Sequence, residues 1–159
     1  MMTWHSIMSR ASQEGGMPVR AWVRCFPRDI SRLPEIFHFA HEFAEEEGVG
    51  AGPSHALDLV LEELFTNFVR HNRDGRHEIE VGLERFDAAV QLTLRDFDVA
   101  PFDPTKVPSP DLTLPLEAQS RGGRGIHLVR KLSREFHYGH RDGVSAITVS
   151  LSLSPGQEP

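Results

Sequence analysis

The apolar stretch Val19 to Phe26 predicts a first strand, ended by Pro27-Arg28-Asp29. Asp29 or Ser31 can cap a helix starting near Ile30, where Leu33, Ile36, Phe37, Ala40, Phe43 and Ala44 recur at i, i+3, i+4 and i+7. Gly48, after the acidic run Glu45-Glu46-Glu47, closes that helix. Gly50-Ala51-Gly52-Pro53-Ser54 predicts a loop and then a second helix, from about Ser54 to Asn72, with serine as cap and proline in the first turn. Leu57, Val60, Leu61, Leu64, Phe65 and Phe68 make it strongly apolar. Beyond the turn Asn72-Arg73-Asp74-Gly75, strands His77 to Phe86 and Ala89 to Arg95 form a hairpin at Asp87-Ala88. Val90, Leu92 and Leu94 alternate with Gln91, Thr93 and Arg95, so one face of the sheet is packed and the other polar.

Phe97 to Arg121 is proline-rich and has no clear period; a loop that long inside a compact domain is often a lid or a binding loop. A helix from Gly122 to about Ser133 follows. A second hairpin, Glu135 to Arg141 and Ser145 to Ser152, turns at Asp142-Gly143. The order β-α-α-β-β-loop-α-β-β predicts an α+β two-layer sandwich, with a mixed, mostly antiparallel sheet covered by helices on one face. Residues 1–18 lack periodicity and are expected to be a mobile tail, residues 19–153 a single domain, and 154–159 a short C-terminal tail.

With 159 residues the chain has room for one substantial core. A net charge of −6 and no long basic run argue against a nucleic-acid partner, whose phosphates demand a concentrated positive face. A single nucleotide needs only a few local donors and stays open. Cys25 is the one cysteine, so no internal disulfide forms; its apolar surroundings predict a buried structural thiol. No segment approaches the ~18 apolar residues of a membrane span. Met1 to Met17 has no continuous apolar core like that of a signal peptide, so the cytoplasm is the expected location.

Candidate chemistry concentrates in three places. On the second helix Glu63, Asn67 and His71 recur at four-residue spacing and share one stripe, with Arg70 beside the last and Glu62 turned to water. Polar flanks on so apolar a helix are paired or used, although taken alone a solvated stripe is the commoner explanation. Gly122-Gly123-Arg124-Gly125-Ile126-His127-Leu128-Val129 enters a helix. Its glycines let backbone N–H groups approach a phosphate, and Arg121 and Arg124 can add charge. A flexible hinge is the plainer alternative, and the Lys-Ser/Thr pair of a Walker motif is missing. Asp96 ends a strand, where its carboxylate can accept from an exocyclic amine such as adenine's or simply serve a turn. His38 with His41, and His137 with His140, have neither a cysteine partner nor the His-Glu-x-x-His pattern of a metal site.

Glu-x-x-x-Asn on a helix, Asp after a strand, a long loop and a glycine-rich helix start, in that order, resemble the GHKL ATPase superfamily. Leu59 to His71 looks like its N-box, Asp96 with Pro101-Phe102-Asp103-Pro104 like its first glycine box, and Gly122 to Val129 like its second. Within the superfamily the chain is most similar to the anti-sigma-factor serine/threonine kinases. The Phe-Asp-Pro element, the Pro110 to Pro115 loop and Gly125 to Val129 are typical of that family, and the resemblance spans roughly Val19 to Leu153. It implies a Bergerat-type fold that binds ATP and Mg²⁺. Glu63 would be the general base, Asn67 the Mg²⁺ ligand, and Arg70 a phosphate contact. His71 and Phe102 would border the nucleotide, and Asp96 would read adenine. Arg121, Gly122, Gly123, Gly125 and Ile126 would surround the triphosphate, with Arg124 as an added contact. The same resemblance implies an anti-anti-sigma (STAS-like) protein as phosphoacceptor, a sigma factor as second partner, and a homodimer. Two positions depart from the pattern: Asp98 stands where a glycine normally follows the aspartate, and Arg124 where an apolar residue is usual. Asp98 motivates a second expectation, a module of this fold that docks a protein and has impaired nucleotide binding.

Overall fold

In β1 (Ala21–Phe26) Trp22 and Phe26 point one way and Ala21, Val23 and Cys25 the other. Asp29, rather than Ser31, is the cap: it accepts the Ser31 N–H at 2.9 Å and opens a 3-10 turn, Ile30–Arg32, that runs on into α1 (Leu33–Glu46). The computed structural model containing these elements describes residues 20–118 and 121–154. The tail expected over residues 1–18, Val19 and residues 155–159 lie outside the described residues.

The second helix, α2 (Ala51–His71), begins before the expected Ser54. Extended Gly50 precedes it, and the Ser54 N–H donates to the Gly50 carbonyl at 3.0 Å. Pro53 therefore falls within the first turn, where its missing N–H has no helical partner to lose. After α2 come β2 (Ile79–Arg85), β3 (Ala89–Asp96), α3 (Arg121–Leu132), β4 (Glu135–Arg141) and β5 (Val144–Ser152). Asp142 and Gly143 both take positive φ, 52° and 78°, as the tight β4–β5 turn requires.

The strand order is β1-β2-β3-β5-β4. Every pairing among the described residues is antiparallel, where a mixed sheet was expected. The crossover through α3 delivers β4 to the far edge, and β5 doubles back to pair with β3. One face of the sheet, built from Val81, Leu83, Leu92, Leu94, Ile147 and Val149, is fully buried. Phe39 and Phe43 of α1, Leu61 and Phe65 of α2, and Ile126 and Val129 of α3 complete that core. Trp22 joins it from β1, its ring 5.9 Å from that of Phe43 and its indole N–H donating to Glu47 at 3.1 Å.

Among the described residues no helix packs on the opposite face, which carries the Glu80–Arg95 ion pair together with Thr93 and Thr148. Cys25 belongs to this face and is exposed, not buried. Its apolar neighbours in sequence misled, because alternation along an edge strand turns every second side chain away from the helices.

Candidate functional site

Two helices meet at the residues singled out from the sequence. The glycine-rich segment is not a loop: Gly123 and Gly125 lie inside the first turns of α3. A Cβ built on Gly125 would fall on the carboxylate of Glu63. The present placement of the Glu63 side chain therefore depends on position 125 lacking one, and Glu63 lies directly on the glycine-rich helix start. Burial raises the Glu63 pKa above the ordinary glutamate value, Glu62 adds to the rise, and Arg70 opposes it. Glu62 itself is exposed, as expected. One turn further along α2, the side-chain oxygen of Asn67 is buried without a hydrogen-bond partner among the described residues.

Gly125→Ala is expected to separate folding from turnover. Alanine favours a helix interior over glycine by about 1 kcal/mol, so thermal melting should give an equal or higher midpoint. The new methyl group pushes the flexible end of Glu63 aside, so turnover should drop on the order of tenfold or more. A variant both stable and fully active would show that the Glu63–Gly125 approach serves packing alone.

The remaining candidates are placed as follows. Arg70 is exposed in the last turn of α2, where a cation also suits the helix dipole. The His71 ring stacks on Phe102 with centroids 3.8 Å apart and planes at 15°. Burial, then Arg70, lowers the His71 pKa, which favours the neutral form of the stacked ring. The Phe102 N–H donates to the Tyr138 hydroxyl at 2.9 Å, tying the long loop to β4. Ile126 is a core residue, 2% exposed; it was grouped with the glycines by motif, but the amphipathic period of α3 turns it inward with Val129. Arg124 is half-buried on α3. Arg121 and Gly122 open that helix, and the Arg121 side chain lies outside the described residues. Asp98 adopts φ 54°, the left-handed conformation a glycine takes freely and an aspartate tolerates. The departure from the motif thus keeps a glycine-like backbone and adds a carboxylate, which pairs with His77.

Asp96 ends β3, as expected, and was read either as an acceptor for an exocyclic amine or as a turn residue. It is instead completely buried, and Arg28 and Asn72 bind it. Neither partner was singled out from the sequence, and neither was Arg130, which fastens the long loop to α3 by donating to the carbonyls of Thr105 at 2.7 Å and Val107 at 2.6 Å. A basic residue in a strand-ending Pro-Arg-Asp and an asparagine in a turn carry no local signal of an aspartate far along the chain.

A helix carrying an acid and an amide one turn apart, set against a glycine-rich helix start over an antiparallel sheet, defines an ATPase-like domain. The chain belongs to the histidine kinase-like ATPase domain family, whose profile matches residues 26–151. It is 31% identical over 101 residues to the serine/threonine-protein kinase BtrW of Bordetella bronchiseptica, a match covering 62% of this chain and 70% of that protein. In fold it is similar to a chain of the SiaB–SiaC complex from Pseudomonas aeruginosa, with a TM-score of 0.53 and 15% identity over 92% of this chain and 96% of that one. No helix among the described residues is long and apolar enough to cross a membrane.

Proposed function

We propose that this domain binds Mg-ATP and transfers the γ-phosphate to a serine or threonine of an anti-anti-sigma (STAS-like) protein, and that it regulates transcription by binding a sigma factor, acting as a homodimer in the cytoplasm. The observation that carries this reading is the Glu63 carboxylate lying on Gly125, with the unpartnered Asn67 oxygen one turn away. A buried carbonyl-type oxygen with no donor suits a hard cation, so the residues present fit Mg²⁺. Mg²⁺, when bound, neutralises charge on the phosphate oxygens.

The protein's own part is positioning and proton transfer. Asn67 would hold the metal, and Arg70 would add positive charge near the phosphates. The first turn of α3 contains no acidic residue, and a helix start, whose first N–H groups have no acceptor within the helix, suits an anion. Glu63, its pKa raised by burial, would accept the proton of the attacking hydroxyl. On this reading Asp96 would stand where the nucleotide base is read. The similarity to a serine/threonine kinase supports a protein acceptor.

A second reading, a protein-docking module with impaired nucleotide binding, is favoured by the engagement of Asp96 with Arg28. Titration calorimetry with Mg-ATP separates the two. A Kd on the order of 10–100 μM, followed by label transfer from γ-labelled ATP to a serine-bearing antagonist protein, is the expected result. A folded protein that takes up no Mg-ATP and transfers no label would leave only the docking module.

A further inference from the structure

We infer that Arg28 is a specificity-determining residue of the nucleotide site and that, because of it, this chain does not select its nucleotide by the 6-amino group of adenine. The inference rests on the nucleotide-binding reading above and concerns the base end of the same site.

The Asp96 side chain is 0% exposed and that of Arg28 is 8% exposed. The guanidinium grips the carboxylate as a fork. One amino nitrogen donates to Oδ2 at 3.0 Å, the other pairs with Oδ1, and Asn72 donates a further bond to Oδ2 at 2.8 Å. Arg28 is fixed in turn. It also donates to the His77 carbonyl at 3.3 Å, and its guanidinium lies on Gly75, where any side chain would collide with it. A carboxylate offers about four acceptor positions, and three of these are filled here. None of its surface is open.

An exocyclic amine is a neutral donor. To reach Asp96 it must displace a bidentate, charge-assisted pair, and such bonds are roughly twice as strong as neutral ones. The guanidinium wins that competition, so the acceptor that would reward an amino group is already engaged. Recognition then falls to the phosphate and metal end, around Asn67, Arg70 and the start of α3, which any nucleoside triphosphate satisfies. Asp98, at φ 54° beside this strand end, keeps the backbone shape of the site, so the altered chemistry comes from the Arg28–Asp96–Asn72 network rather than from a collapsed loop.

Titration calorimetry with two probes tests this: Mg-ATP, and the Mg complex of purine riboside 5′-triphosphate, which is ATP without its 6-amino group. The wild-type protein is expected to bind both with Kd values within about threefold of each other. Arg28→Met keeps an apolar stem over Gly75 and releases Asp96. It should tighten Mg-ATP alone and open a preference of about tenfold or more over the analogue. Arg28→Ala should do the same, circular dichroism and melting being used to admit only folded variants. A wild-type preference for ATP beyond tenfold overturns the inference, and if Arg28→Met abolished that preference, Arg28 would be a residue that positions Asp96 to read the base. A folded Arg28→Met protein with an unchanged ratio overturns it as well. If neither variant folds, the wild-type ratio alone decides. Absence of binding by both probes to the wild-type protein removes the nucleotide reading itself, whereas binding with strong discrimination removes only the role given to Arg28.

Discussion

Glu63→Gln is expected to slow turnover of Mg-ATP by roughly 10²–10⁴-fold, measured as transfer or release of labelled γ-phosphate, while leaving Mg-ATP affinity within about threefold of wild type. Glutamine keeps the shape that rests on Gly125 and cannot take a proton. Burial disfavours the charged form of this carboxylate, so its charge is not expected to support the fold. A carboxylate whose folded-state pKa is raised contributes stability that is fully present below its unfolded pKa and lost as pH rises through the folded one. At neutral pH the neutral amide should therefore melt no lower than wild type. The same raised pKa fixes the pH dependence of the rate. Turnover should climb as Glu63 loses its proton, along an acid limb lying above the ordinary glutamate range. Glu62→Gln removes a repelling neighbour from the exposed side of the helix and should move that limb to lower pH. Undiminished turnover by a folded Glu63→Gln protein would remove the proton acceptor from the proposed reaction.

The periodic features were legible because they are local. The apolar spacing of α1 and α2, the alternation of β3 and the Asp142-Gly143 turn each follow from short-range geometry and reappear in the structure. So does the stripe of Glu63 and Asn67, a matter of helical pitch. What the local pattern could not carry was pairing at a distance. Arg28 and Asp96 are 68 residues apart, and nothing near either one announces the other. Gly125 was visible as a glycine in a phosphate-type motif, but its contact with Glu63 depends on how α3 is laid against α2. Cys25 shows the limit from the other side: apolar neighbours along a strand say that the strand packs, and only the register says which half of its side chains does so.

Asn67→Ala is expected to weaken Mg-ATP binding on the order of 100-fold or more, about 2.7 kcal/mol, without destabilising the fold. A buried acceptor lacking a hydrogen-bond donor ordinarily costs about 1–3 kcal/mol, so removing this oxygen should leave the melting temperature equal or higher. An asparagine kept for structure would behave in the opposite way, because its loss would break bonds that hold α2 to its neighbours, and no such bonds to that oxygen exist among the described residues. Repeating the titration in EDTA gives the decisive comparison. With the metal withdrawn, wild type and variant should bind ATP with the same low affinity, since the side chain acts only through the cation. If Asn67→Ala weakened binding equally with and without Mg²⁺, the oxygen would be contacting the nucleotide or shaping the helix, and the metal assignment would be lost while the role of Glu63 stood.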